Sequence, residues 1–337
     1  MAGKIRWGVL STANIAVTKV IPGMQRSALC EIAAIASRDK GKAQRVARAL
    51  GIDKTYGSYE ELLADPEIDA IYIPLPNHLH VPWTAKAAEA GKHVLCEKPI
   101  GMTADEARTL IAVRERTGVK IAEAFMVLCH PQWIRLRELL RAGRIGQLRL
   151  VQGLFSYHNV DPENIRNQID IGGGALMDIG CYMVLAGRYG FEQEPERVVA
   201  SIDRDPGMKT DRLTSAIMEF AGGQAVFTSS TQLVPFQRLE FLGTKGRIEL
   251  EVPVNAVPER EARLNVDTGV DLYGGGMTRQ TFALCDQYGL QGDAFSRAIL
   301  EDTEVPMPLE AAIQNMHAID AIFRSGRSGM WERVGED

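Results

Sequence analysis

Several features that define whole classes of protein are missing from this chain. Its five cysteines, Cys30, Cys96, Cys129, Cys181 and Cys285, are odd in number, lie at least 33 residues apart and form no CxxC. That excludes a disulfide framework. The six histidines include His78-x-His80 but no HExxH and no Cys/His cluster, so no metal is expected. Basic residues are not in excess: 38 Lys and Arg stand against 43 Asp and Glu, a net charge of −5, with no run of five like charges. Tracking nucleic-acid phosphates takes a dense cationic surface, so no nucleic-acid partner is expected. No segment reads as the ~18 to 20 apolar residues that a membrane span requires. Met1-Ala2-Gly3-Lys4 leads straight into strand-like sequence, without the apolar core and cleavage site of a leader. The expectation is a cytoplasmic protein without membrane contact.

What is present is ordinary globular composition, 45% hydrophobic and 24% charged over 337 residues. At roughly 150 residues per domain this predicts about two domains. The first third alternates short apolar runs with helical patterns: Ile5–Leu10, Glu31–Ser37, Asp69–Pro74, His93–Cys96 and Val119–Ala122 read as strands. Ile15–Gln25, Lys40–Leu50, Val81–Ala90 and Ala104–Thr117 read as helices, the last three stopped by Gly51, Gly91 and Gly118. This is the grammar of right-handed βαβ units around a doubly wound parallel sheet.

After Pro131 the grammar changes. A helix over Gln132–Ala142, a strand over Leu148–Ser156 and an amphipathic segment near Gly174–Tyr189 lead into a series of short strands. These are Val198–Ile202, Leu213–Phe220, Gln224–Gln232, Gln237–Gly243 and Gly246–Val252, set off by glycine turns. They predict an open, largely antiparallel sheet. Residues 253–277 carry two prolines and Gly274-Gly-Gly276 and read as a mobile or irregular excursion. Helices over Arg279–Leu300 and Leu309–Ser325 close the chain. The expected division is a doubly wound α/β domain over 1–122 and a second α/β domain over 123–337, its late helices packing back on the first domain or the shared cleft.

The first strand runs into Gly8-Val-Leu-Ser11-Thr12-Ala13-Asn14-Ile15-Ala16, where a dinucleotide fingerprint carries GxGxxG or GxGxxA. That fingerprint supplies a tight turn, close backbone approach to a pyrophosphate at a helix N-terminus, and a small residue for helix–strand packing. Ser11 and Ala13 stand in for the first two glycines, and Ala16 keeps the small closing residue. The same stretch also suits a plain strand-to-helix turn capped by Ser11 or Thr12. At the end of the second strand, Ser37-Arg38-Asp39 replaces the acidic residue that would bind a ribose 2′-hydroxyl, and Lys42 follows a turn later. Ser37 does not repel a phosphate, and Arg38 suits bidentate pairing with one while stacking on adenine. This favours NADP over NAD. The plainer reading is a solvated helix start with Asp39 as its N-cap.

Two further strands end in Ile73-Pro74-Leu75-Pro76-Asn77-His78-Leu79-His80 and in Cys96-Glu97-Lys98-Pro99. Both fall at carboxyl ends of parallel strands, where open α/β sheets bind ligands. Pro99 biases Lys98 toward extended backbone, which fixes where its ammonium points. Beside a cofactor that turns positive on oxidation, such a lysine has a depressed pKa and suits general acid/base work.

The set PLPNHLH, GKHVLCEKP and GGGALMDIGCY resembles the glucose-fructose oxidoreductase/inositol dehydrogenase (Gfo/Idh/MocA) family. The likeness runs through Pro306-Met-Pro-Leu-Glu310 and Ala321-Ile-Phe-Arg-Ser325. It implies an N-terminal Rossmann domain and a C-terminal α/β domain whose open sheet makes the contact of a homo-oligomer, dimer or tetramer. It further implies that Lys98 is the catalytic lysine, that Asn77 and His80 lie near the nicotinamide, and that Glu97 flanks it. In Gly172-Gly-Gly-Ala-Leu-Met-Asp178-Ile-Gly-Cys-Tyr182, helical spacing puts Asp178 and Tyr182 on one face. The tyrosine version resembles the branch holding glucose-fructose oxidoreductase, dimeric dihydrodiol dehydrogenase and xylose dehydrogenases. There Tyr182 would donate a proton or hydrogen bond to the reacting oxygen, and Asp178 would orient substrate and Lys98. Asn164-Ile-Arg166-Asn167 resembles a substrate loop of that branch, Arg166 offering paired hydrogen bonds to sugar hydroxyls, with Tyr157 and His158 at a strand end facing it. His93 and His130 read as structural, Trp7 and Trp133 as core. One departure stands out: Val127-Leu128 replaces the Tyr-Arg pair of much of the family, removing a polar anchor from the nicotinamide side or from Glu123.

The expected function is an NADP-dependent oxidoreductase passing a hydride between nicotinamide and a sugar-like substrate. The alternatives are a non-catalytic NADP-binding regulator, against which Lys98 with Pro99 argues, and an NAD-dependent glycosidase acting by transient oxidation.

Overall fold

The computed structural model describes residues 3–335. Met1 and Ala2, read above as leading into the first strand, lie outside the described residues. The chain forms two compact units: one runs through Cys129 and includes Asp286–Ile313, the other comprises His130–Cys285 and the chain from Gln314 onward.

The first unit is built on six parallel strands, β1 (Ile5–Leu10), β2 (Cys30–Ala36), β3 (Lys54–Tyr56), β4 (Ala70–Ile73), β5 (His93–Cys96) and β6 (Ile121–Glu123), in the order β3-β2-β1-β4-β5-β6. The strands are near-continuous apolar runs because both faces of a parallel sheet are covered. Every residue of β4, for instance, is buried. Asp39 caps the helix Lys40–Leu50 and Gly51 ends it at φ 66°; Thr103 and Gly118 do the same for Ala104–Thr117. Strand β3 and the short helix Tyr59–Leu63 left no periodic pattern, being only 3 and 5 residues long. Ser58 caps that helix, its hydroxyl accepting from the Glu61 amide. The helix Gln287–Leu300 belongs to this unit: Phe295 lies 5.5 Å from the Trp7 ring, and Trp7 Nε1 donates to Ser296 Oγ at 3.2 Å. Trp7, Phe295 and Ser296 are all fully buried.

The second unit carries β7 (Leu148–His158), β8 (Arg197–Arg204), β9 (Asp211–Phe220), β10 (Gly223–Ser230), β11 (Gln232–Gly243), β12 (Gly246–Leu250), β13 (Ala262–Asp267), β14 (Met277–Phe282) and β15 (Glu332–Arg333). Their order is β14-β13-β12-β11-β7-β10-β9-β8-β15. Strands β7 and β10 pair in parallel and every other neighbour is antiparallel, so the sheet is mixed and mostly antiparallel. The alternating burial of β9 shows one face covered and one open. Against the covered side, Trp133 Nε1 donates to the Pro253 carbonyl and Tyr189 Oη to the Trp133 carbonyl, both at 2.7 Å.

Three expectations need correction. The excursion over 253–277 is not irregular throughout: Ala262–Asp267 pairs with β12. The helix expected from Arg279 begins only at Gln287, because Met277–Phe282 pairs with β13 and the Asp286 carboxylate then accepts the Tyr288 and Gly289 amides as N-cap. Finally, one stretch does reach spanning length and composition: Ile169–Phe191, 23 residues with a mean hydropathy of 1.4 in its best window. That window is 72% buried inside the structure, and Arg188 further along the stretch pairs with Glu194, so this is a core segment of the second unit.

Emptying the pocket around Trp7 tests what ties residues 286–313 into the first unit. Phe295→Ala should cost about 3 to 5 kcal/mol, read as a lowered denaturant midpoint.

Candidate active site

In an open parallel sheet the ligand crevice lies where the strand order reverses, here between β1 and β4. Ser11, the first residue past β1, donates its amide to the Ala36 carbonyl at 2.9 Å and takes φ 102°. This is a conformation that glycine adopts freely and a serine holds only at a cost of about 1 to 3 kcal/mol. The turn of the glycine fingerprint is therefore present without its glycine. Ser11 Oγ accepts from the Ala13 amide at 3.2 Å and donates to the Pro74 carbonyl at 3.3 Å, linking the β1 and β4 loops across the switch point. The cap reading does not hold: Ser11 Oγ bonds within the loop, and the helical turn that follows has no side-chain cap. Thr12, Ala13 and Ile15 are half-buried, Asn14 is exposed, and Ala16 is buried at the start of a π-helical turn, Ala16–Val20.

At the end of β2 the Ser37-Arg38-Asp39 turn has the plainer form of a helix start. Asp39 is the N-cap, accepting from the Lys42 amide at 2.9 Å, and the buried Ser37 hydroxyl accepts from the Asp39 amide. The Arg38 and Lys42 side chains stay exposed. The Arg38 guanidinium is within hydrogen-bonding reach of the Tyr59 phenol, a partner for which the sequence offered no signal.

At the ends of β4 and β5 the loops are pinned from below. Tyr72 Oη donates to Glu97 Oε1 at 2.6 Å, and Glu97 Oε2 accepts from the Lys98 amide at 3.2 Å. The Lys98–Pro99 peptide is cis. Lys98 is half-buried, and beyond it the Ile100 amide donates to the buried Glu123 carboxylate at 2.7 Å. His80 lies beneath both loops: Nδ1 is 2.7 Å from the Pro99 carbonyl and Nε2 is 2.7 Å from that of Leu75. Burial pushes its pKa down to about 4, against the pull of those carbonyls, so the ring is neutral at physiological pH. A neutral imidazole has one N–H, so it donates to one carbonyl and turns a lone pair to the other. His80 therefore clasps the two loops together, with both nitrogens committed to backbone. Asn77 and Pro76 are half-buried and Leu75 is buried on the first loop. His93 and His130 each accept a backbone amide, from Lys120 and Gln132.

In the second unit the triple glycine is a close-approach device. Gly173 and Gly174 donate to the Gln168 and Arg166 carbonyls at 2.9 and 2.8 Å, and a Cβ on Gly173 would sit 2.6 Å from the Arg166 carbonyl oxygen. The loop carrying Arg166 is thereby fastened to the start of the segment carrying Asp178. Asp178 Oδ2 accepts from Tyr157 Oη at 2.6 Å and from Arg166 Nε at 3.1 Å. Burial first, and the Asp178 charge second, hold the Tyr157 phenol protonated far above its ordinary range. Asp178 lies in a π-helical turn, Leu176–Gly180, and Tyr182 in the α-helix Cys181–Phe191 that follows; Tyr182 is buried, its ring 6.2 Å from Phe155. His158 is exposed at the end of β7. Tyr157, Arg166 and Asp178 thus form one hydrogen-bonded cluster. Tyr72, which fixes Glu97, and Asp211, which caps the Leu176 turn, were missed: each supports the site from a distant stretch of sequence. Among the described residues no group of three or more His, Cys, Asp or Glu is placed to hold a metal ion.

Comparison with known proteins follows the same division. Residues 5–125 match the model of an oxidoreductase family with an NAD-binding Rossmann fold, and residues 133–249 match the GFO/IDH/MocA C-terminal domain. The chain is 47% identical to an uncharacterized oxidoreductase of Rhizobium meliloti, over 98% of this chain and 99% of that one. It is 40% identical to a D-xylose 1-dehydrogenase (NADP(+)) of Haloferax volcanii, over 96% of this chain and 98% of the other. Among solved structures, a 3-ketoreductase from Actinomadura kijaniata in complex with NADP and TDP-benzene matches with a TM-score of 0.88 at 29% identity, covering 96% of this chain and 98% of that one. By sequence along both units and by fold, the chain belongs to the Gfo/Idh/MocA family of oxidoreductases.

Proposed function

We propose that this chain is an NADP-dependent oxidoreductase transferring a hydride between nicotinamide and a carbon of a sugar or related polyhydroxylated or carbonyl substrate. The observation that carries the reading is Lys98, held at the carboxyl end of β5 in a sheet of dinucleotide-binding strand order by Glu97, Tyr72 and the His80 clasp. The names of the xylose dehydrogenase and the NADP-bound ketoreductase support the same cofactor and substrate class.

The residues present suit the cofactor. The Ser11–Ile15 turn, with its positive φ at Ser11 and the helix N-terminus behind it, would receive a pyrophosphate, and Ser37, Arg38 and Lys42 a 2′-phosphate. Leu75, Pro76, Asn77 and Glu97 would flank the nicotinamide end, His80 acting through the two loops that it joins. When bound, the cofactor supplies the hydride acceptor or donor. Lys98 gives a proton to the substrate oxygen, or takes one from it, as the hydride moves. Tyr182 assists as hydrogen-bond donor to that oxygen. Asp178, with Tyr157 and Arg166 both donating to its Oδ2, is held in one orientation for substrate hydroxyls. The open sheet of the second unit, with Val234 and Phe236 exposed on β11, is assigned to self-association as a dimer or tetramer.

Lys98→Ala should lower kcat for the best sugar substrate by about 10²- to 10⁴-fold while NADP affinity is kept; the assay is reduced-nicotinamide absorbance over a panel of sugars. Full turnover by this variant would remove Lys98 from the chemistry. Arg38→Ala should raise KM for NADP by about 10- to 100-fold, the loss of one charge-assisted pair, and leave KM for NAD unchanged. Parallel titrations with the two cofactors decide it, and an equal rise for both would assign Arg38 to the adenosine and not to the phosphate.

A further inference from the structure

Asp211 opens β9 and is 1% exposed, an acid taken out of water by the fold. Its Oδ2 accepts from the Leu176 amide at 2.7 Å and from the Thr214 hydroxyl at 2.9 Å. Leu176 opens the π-helical turn that holds Asp178, and the Asp178 amide donates to the Gly174 carbonyl at 3.0 Å. The space for Asp211 is cut to fit: Gly174 has φ +123°, and a Cβ there would stand 1.9 Å from Asp211 Oδ1. Gly174 also donates to the Arg166 carbonyl, and Arg166 in turn donates to Asp178. One buried carboxylate therefore braces the turn from which the Tyr157–Arg166–Asp178 cluster hangs. Resting on the reading of that cluster as the substrate-binding group, we propose that Asp211 is a positioning residue for substrate, holding Asp178 through the Leu176 amide without touching substrate itself.

A fold seeking only stability would not place a carboxylate here. Burial raises the Asp211 pKa to about 6, against the stabilising Leu176 amide, Thr214 hydroxyl and Arg204 charge. The charged and titratable groups around it are Arg204 from β8, Tyr157 from β7 and, bonded to Tyr157, Asp178 from the turn. With the folded value raised above the unfolded one of about 4, the stabilising contribution of the protonated form is complete below pH 4 and is lost as pH rises through 6. Charge at this site costs stability and strengthens the hold on the Leu176 amide.

The test is Asp211→Asn, which keeps an acceptor of the same shape and removes the charge. Expected is a variant at least as heat-stable as the wild type at pH 7.5, its advantage shrinking as pH falls from 6 to 4. Its kcat should fall about tenfold with KM for NADP unchanged, and hydrogen exchange should quicken in peptides spanning 174–180. The wild-type fall of kcat as pH drops through 6 should be absent from the variant. Thr214→Val, which removes one donor to the charged form, should move that fall to higher pH. Opposed movement of stability and activity is what a purely structural residue would not give. Wild-type kcat and an unchanged pH profile in Asp211→Asn overturn the proposal. If Lys98→Ala keeps its turnover, the assigned chemistry fails separately, and the exchange and stability shifts of Asp211→Asn still bear on the brace.

Discussion

Everything in the first unit depends on its strands being parallel. Six strands running one way deliver every β-to-α loop to one edge, so Ser11, Arg38, Leu75 and Lys98, which are up to 87 positions apart in the chain, emerge along a single rim. Such strands are buried on both faces and must be apolar throughout, which leaves polar chemistry only at the rim. The rim then needs bracing from within the sheet, and this chain uses buried polar side chains for that: Tyr72 on Glu97, Glu123 on Ile100, and His80 between two loops. A shift in any of these braces would move the loops that carry the rim residues, Lys98 among them.

The second unit solves a different problem with similar means. Its sheet is mostly antiparallel and open on one face, so strand ends do not converge, and the site is assembled by a helix laid on the covered face. The close-packed glycines at 172–174 let a substrate loop, a π turn and the end of β7 meet within hydrogen-bonding distance. In both units a helix bearing site residues begins with a π-helical turn, Ala16–Val20 in one and Leu176–Gly180 in the other, a form often found at functional sites.

Legibility from sequence followed the physics of each signal. The alternation of apolar runs with glycine-stopped helices made the first sheet readable, because parallel strands and C-caps leave strong local marks. The lysine before Pro99, the Ser37-Arg38 turn and the Gly172–Asp178 run were equally local. What did not show was what depends on pairing at a distance. Strand β14 reads as helix because its partner is β13, and the weak pattern of Arg279–Phe282 cannot name that partner. His80 looked like a ligand residue, although its two nitrogens are spent on carbonyls 5 and 19 residues away. Asp211 had no signal at all: it is one acid at a strand start, 35 residues from the amide it accepts. The segment near Gly174–Tyr189 reads as amphipathic, although the stretch that contains it is by length and composition alone apolar enough to cross a bilayer.

The π turn at Leu176–Gly180 also bears on how this scaffold changes over time. A wide turn holds one residue more than an α-turn of the same span, so losing a single residue there would leave a continuous helix while rotating everything before it by about 100°. Asp178 would swing to another face while Tyr182 kept its place in the regular helix behind it. The two groups thus sit on either side of a natural indel point, where one codon's loss or gain re-aims half of the substrate site without unmaking the fold.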